Sequence, residues 1–90
     1  MVTSAHDQQA LIDRWIVQHP HRSSAEARLA DYGTPVWAII GYLRVVGGDG
    51  DRTAADYEIE REAVEAALAH YERFPHLIDA RLEANERALG

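Results

Sequence analysis

Three features of this chain predict an all-α fold. Apolar residues recur at helical spacing in separate stretches, Pro and Gly punctuate the gaps between them, and no run alternates with the two-residue period of a strand. With 90 residues and 47% hydrophobic content, the chain is one small unit with a modest core. The architecture expected is a small helical bundle in two parts, an N-terminal helical arm at 1–32 and a helix-turn-helix domain at 33–90 that ends in a C-terminal helix.

From Asp7 to Gln18, Leu11, Ile12, Trp15 and Ile16 fall on one helical face, with Asp13, Arg14 and Gln18 turned outward. His19-Pro20-His21 ends this helix, because the residue before a proline is pushed out of the α region. Ser23-Ser24-Ala25-Glu26 has the form of a capping box and predicts a short helix to about Ala30, closed by Tyr32-Gly33.

Thr34-Pro35 reads as an N-cap hydroxyl followed by proline at the first helical position. Val36, Ile39, Ile40 and Leu43 then follow the i, i+3, i+4, i+7 pattern, so a helix to about Val46 should be the central core element, with Trp37 off its stripe. Gly47-Gly48-Asp49-Gly50 stops it, and Asp51 is the expected cap of the next helix, Asp51 to Tyr57.

After the short gap Glu58 to Glu60, a helix carries Val64, Ala67, Leu68 and Tyr71 on one face. Two helices so closely joined fit a helix-turn-helix, although Glu60 is a poor cap for the second. Phe74-Pro75 interrupts, and a last helix from Pro75 to about Leu89 has a thin apolar stripe of Leu77, Ile78, Leu82 and Leu89.

The net charge of −6 is concentrated in the second half, which contains the helix-turn-helix. Such a surface repels free duplex DNA, whose affinity for proteins comes largely from cations at the phosphates. All nine basic residues are Arg, each able to grip phosphate or carboxylate in a bidentate fashion. Without cysteine there is neither a disulfide framework nor a thiolate metal site. The longest apolar run, Pro35 to Tyr42, is too short for a membrane helix, and the N-terminus has no signal-peptide pattern, so a cytoplasmic setting and no membrane partner are expected.

Candidate chemistry is sparse. Asp49-Gly50-Asp51 with Glu60 imitates the ends of a calcium loop, but Ala54 stands where the sixth-position glycine is needed. No two of the five histidines have the i, i+4 spacing of a helical metal site, and all five are expected at the surface. Ser4, Ser23 and Ser24 sit in a terminus and a capping box without a positioned base, so no enzyme, no metal and no cofactor are expected. If the helix Arg61 to Tyr71 entered a major groove, Arg61 near its start would be the base or phosphate contact, and Arg52 and Thr53 could hold a phosphate. The plainer alternative is a core helix with Glu60, Glu62 and Glu65 on a solvated face. Leu11, Trp15, Ile16 and Trp37 are the candidates for a homodimer or partner interface, since aromatics are enriched in interface cores.

The blocks Pro35-Val36-Trp37-Ala38-Ile39-Ile40, Ala54-Ala55-Asp56-Tyr57, Val64-Glu65-Ala66-Ala67-Leu68-Ala69-His70-Tyr71 and Leu77-Ile78-Asp79-Ala80-Arg81, in this order and spacing, resemble domain-of-unknown-function family 433 over residues 33–85. The resemblance implies a helix-turn-helix, antitoxin-like protein that neutralises a PIN-like ribonuclease toxin and regulates its own operon through operator DNA. The extended arm that many members carry before the Pro-Val block is here reduced to Gly33-Thr34. On this reading Arg81 and Arg87 of the last helix would enter the acidic, metal-binding centre of the toxin. The alternatives are a stand-alone transcriptional regulator and a homo-oligomeric structural or adaptor domain without DNA binding.

Overall fold

Helix α4, Arg61–Arg73, is the element around which the chain closes. It is preceded by α1 (Ala5–Trp15), β1 (Ile16–Val17), a 3-10 turn at Ser24–Glu26, β2 (Arg28–Leu29), α2 (Val36–Val45) and α3 (Gly50–Tyr57), and followed by α5 (Pro75–Leu89). The computed structural model describes residues 5 to 89, without the side chain of Ala5. Ser4 lies outside them. The chain is an all-α bundle with one two-stranded antiparallel ribbon, in which Ile16 pairs with Leu29 and Val17 with Arg28.

The core forms where the helical periodicities meet. Val36, Ile39, Ile40 and Leu43 of α2 are all buried, as their spacing predicts. Against them lie Ala63, Val64, Ala66 and Ala67 of α4, together with Ala54, Ile59 and Ile78. Trp15, Ala27 and Leu29 belong to the same cluster, so residues on both sides of position 32 share one core. Four of the buried α4 residues are alanines: Ala63, Ala66, Ala67 and Ala69. The smallest side chains of the helix therefore face inward, and neighbouring helices can approach its backbone closely.

Several local expectations are corrected. The Ser23 to Glu26 segment makes only the 3-10 turn, because the Ser23 hydroxyl accepts from the Ala25 N–H and not from the N3 position of a capping box. The chain then becomes extended, and the short helix expected to Ala30 is replaced by β2. Its backbone is held by Ala30 N–H to Trp15 O at 2.7 Å, Leu29 N–H to Thr34 O at 2.8 Å and Val36 N–H to Ala27 O at 2.9 Å. These bonds close the loop through Gly33, which has φ +70°. Proline 35 is the N-cap of α2 and not its first residue, with no side-chain capping bond. Helix α3 is capped by Asp49, whose carboxylate accepts from Arg52 N–H at 3.0 Å, and not by Asp51.

Helices α2 and α3 end alike. Gly48 N–H bonds Leu43 O, and Gly47 N–H, from a residue at φ +65°, bonds Arg44 O. In α3 the same pattern joins Ile59 N–H to Ala54 O and Glu58 N–H to Ala55 O. Both are Schellman stops, which need a left-handed residue after the last turn. In α3 that residue is Glu58, at φ 56° and ψ 46°, the one non-glycine residue with positive φ among those described.

A glutamate in that conformation crowds its Cβ against the backbone, and glycine relieves the strain. After the entropy that glycine adds to the unfolded chain is subtracted, Glu58→Gly should stabilise the fold by about 0.5–1 kcal/mol. Thermal unfolding should then show a midpoint several degrees higher, on the order of 4–8 °C per kcal/mol for a domain of this size. An unchanged or lower midpoint would mean that the left-handed turn is not strained.

Candidate functional site

The turn at residues 58–60 joins α3 to α4, and α1 lies along α4, with Trp15 at its start and Gln8 and Gln9 at its end. Trp15 is 2% exposed. Its indole Nε1–H donates to Glu62 Oε1 at 2.9 Å, and its ring is parallel to Tyr32 with centroids 6.3 Å apart. The Tyr32 hydroxyl in turn accepts from Glu60 N–H at 3.3 Å, so it satisfies the backbone donor of the N-cap residue, whose own side chain makes no capping bond. Arg14 lies over the outer face of the Trp15 ring at 4.2 Å. The N-terminal turn of α4, the part of a recognition helix that reads base edges, is thus engaged by Trp15 and Tyr32.

Thr53, expected at a phosphate, is fully buried, with its hydroxyl donating to Asp49 O at 2.9 Å. It has no surface with which to contact DNA. Arg52 pairs with Asp56 at 3.5 Å, and Asp56 also accepts a hydrogen bond from the Tyr42 hydroxyl. Arg61 lies across Gly50, where an added Cβ would come within 2.5 Å of its guanidinium, and it pairs with Asp51 at 3.0 Å and Glu65 at 3.9 Å. An exposed pair of this kind is worth at most about 1 kcal/mol, so pairing alone does not bar Arg61 from a phosphate. The obstacle is what stays behind, since releasing Arg61 leaves the carboxylates of Asp51 and Glu65 facing the same phosphates.

Of the residues expected at a partner interface, Trp15 is spent on the chain's own core, while Leu11, Ile16 and Trp37 are partly buried against it. Trp37 lies under Arg81, whose guanidinium carbon is 5.3 Å from the ring centroid and which also pairs with Glu26 at 3.7 Å. Arg81 therefore ties α5 to α2 and to the 3-10 turn, whereas Arg87 is exposed further along α5. The two arginines expected to act together have different surroundings.

Glu60, Glu62 and Glu65 are exposed, as the core-helix reading expects, but periodicity missed that Leu68 stands on the same side. Arg61, Glu65, Leu68 and Glu72 are exposed and form one stripe at the i, i+4, i+7, i+11 positions. Leu68, expected in the core, is 37% exposed. On one side it borders an apolar cleft of about 340 Å³ lined by Ile40, Leu43, Arg44, Gly47, Gly48 and Tyr71. On the other it borders a smaller depression of about 190 Å³ that includes Leu11 and Ala69. The wall of the larger cleft is held by Asp79, which accepts from the Tyr71 hydroxyl at 2.8 Å and from Arg44. These hydrogen bonds hold the Asp79 carboxyl below its ordinary range and raise Arg44. The glycine stop of α2 was legible as a turn, and what it did not reveal was that it opens beside α4.

His70, expected at the surface, is 1% exposed. Its Nε2–H donates to Ser24 O at 2.8 Å, a bond that fixes the tautomer because a carbonyl only accepts. Its ring lies 4.9 Å from that of Phe74. Among the described residues no group of three or more His, Asp or Glu converges on a point where a metal would sit, and no helix is long and apolar enough to cross a membrane. Compared with protein-family models, curated proteins and solved structures, the chain matches none.

Burial pushes His70 below its ordinary value of 6.5, with Arg73 adding to the lowering and the bond to Ser24 opposing it. The unfolded chain therefore binds this proton at higher pH than the folded chain does. Stability should fall as pH drops below about 6.5, and level off once the folded histidine is protonated. Denaturant midpoints measured at about pH 7.5 and pH 5 should separate more for the native chain than for His70→Gln, which keeps a donor for Ser24 O. The window lies above the one in which Asp79 acts, because a depressed carboxyl loses its contribution only as pH falls through its own lowered value. Equal pH dependence in the two chains would show that His70 takes up its proton without leaving the core.

Proposed function

We propose that this chain is a small protein-interaction module that engages a partner protein through the exposed side of α4, and that it does not read DNA with that helix on its own. The observation that carries this reading is the state of α4. Its N-terminal turn is engaged by Trp15 and Tyr32, and its solvent face presents Glu65 and Glu72 around an exposed leucine beside an apolar cleft. A DNA-reading helix needs the opposite, a free N-terminal turn and a cationic face. A protein interface needs an apolar centre with a polar rim.

The antitoxin expectation is one form of this reading. The resemblance to family 433 supplies a class of partner, a PIN-like ribonuclease, and operator binding by the toxin–antitoxin complex would follow only after the partner is bound. Within that form Arg87 is the better placed of the two cations, since Arg81 is already engaged by Trp37 and Glu26. The adaptor form needs no toxin and uses the same face.

The test combines two measurements. Co-expression with the product of the adjacent reading frame, followed by size-exclusion chromatography with light scattering, should give a stoichiometric complex that Leu68→Glu abolishes and Arg52→Ala does not. Duplex DNA from the chain's own upstream region should not shift with the chain alone at about 0.15 M salt. A shift by the chain alone that Arg61→Ala removes would overturn the reading in favour of a stand-alone regulator.

A further inference from the structure

Leu68 is a wall of two depressions at once, the apolar cleft toward α2 and the smaller one toward α1. It stands in the exposed stripe of α4 between Glu65 and Glu72. The surface therefore has an apolar ridge, an apolar hollow beside it and carboxylates at both ends along the helix. That is the form of a site for the apolar stripe of another helix, whose anchors at i, i+3 and i+4 enter the hollow while its flanks meet the rim.

The charge at the rim decides what kind of helix. The nearby cations are already engaged within the chain, Arg44 by Asp79, Arg61 by Asp51 and Glu65, and Arg73 by the side-chain amide of Gln9. Carboxylates outnumber cations among the described residues of this face, Asp49, Asp51, Glu65, Glu72 and Asp79 against Arg44, Arg61 and Arg73, and Glu72 accepts from the neutral amide of Gln8. Asp49, at the mouth of the glycine turn, accepts from the backbone N–H of Arg52. The residual field is negative, so complementarity calls for a basic partner. A second copy of the chain meets the face poorly, because a two-fold contact sets the same patch against itself and brings Glu65 and Glu72 against their own kind.

We infer that the occupant of this face is a cationic amphipathic helix of a partner protein, with aliphatic anchors seated in the cleft between α2 and α4 and Lys or Arg on its flanks. The inference rests on the protein-binding reading above and gives the partner its chemistry.

The probe is a synthetic leucine–lysine amphipathic peptide of about four turns, with a leucine–glutamate peptide of the same pattern as its counterpart. Titrated into the isotopically labelled full chain, the basic peptide should move the amide resonances of Leu43, Gly47, Gly48, Leu68 and Tyr71 saturably. The acidic peptide should not. Leu68→Glu separates a built cleft from bare charge attraction, because it removes the apolar ridge while adding a negative charge. Binding should weaken by about tenfold or more, the loss expected for unburying one leucine. Glu65→Lys combined with Glu72→Lys should weaken it as well. Both sites are exposed, and unchanged helical content and melting verify that the variants are folded.

Tighter or equal binding by Leu68→Glu overturns the proposal, since attraction would then be electrostatic alone. Shifts confined to other surfaces overturn it too, as does concentration-dependent self-association through the cleft. If the peptide fails to bind while the co-expressed complex forms and DNA stays unshifted, the cationic helix is wrong and the protein-binding reading stands. If the chain alone shifts DNA, the reading itself has failed.

Discussion

Ala63, Ala66 and Ala67 lie along α4 with no exposed surface, and the close approach they allow governs how every other helix is placed. With alanine inward, α1, α2, α3 and α5 can all reach the α4 backbone, and the larger apolar side chains come from those neighbours. Replacing such an alanine by a larger residue would push its neighbours apart, because a filled interior has no space to absorb extra methylenes. A helix packed on so many sides keeps only a narrow stripe for solvent. That stripe is Arg61, Glu65, Leu68 and Glu72, flanked by exposed Glu62 and Arg73.

The polar contacts follow from this placement. Once α1 lies on α4, the indole N–H of Trp15 needs an acceptor, and Glu62 supplies it. Where α2 and α5 meet near the end of α4, Arg44, Tyr71 and Asp79 converge in one network. Exposed pairs of this sort add little stability, but they set the electrostatics of the surface. By engaging Arg44 and Arg61 internally they leave the exposed side of α4 with an acidic balance.

Much of the fold was legible in the chain. The stripe Val36, Ile39, Ile40 and Leu43 lies in the core as its spacing implies, and Pro75 opens the last helix. The glycines at 47 and 48 end α2 through a Schellman turn. The equivalent stop at Glu58 was readable only as a gap, since nothing in a glutamate announces a left-handed backbone. Ser23 to Glu26 matched a capping box, yet the strand pairing of Arg28 and Leu29 with Ile16 and Val17 took the following residues away from a helix. Of the site residues, Arg61 is legible by its position at the start of α4, whereas its ion pairs with Asp51 and Glu65 are not. The assignment of Leu68 to the core failed because alanine counted too little in the apolar pattern, so the buried face of α4 was placed too far toward Leu68.

What the sequence by itself determined is where α2 to α5 begin and end to within a turn, the all-α class, the acidic second half and the inward stripe of α2. Each of these depends on neighbours within one or two helical turns, where periodicity, proline and glycine act directly. Only the tertiary structure decided that Thr53 and His70 are buried and that Trp15 belongs to the core of its own chain. It also decided that Arg61 answers to Asp51 and that Leu68 stands between two hollows. Those outcomes join residues on different elements, and which side chains meet there depends on how the helices pack around the alanine face of α4, a relation that no local pattern encodes.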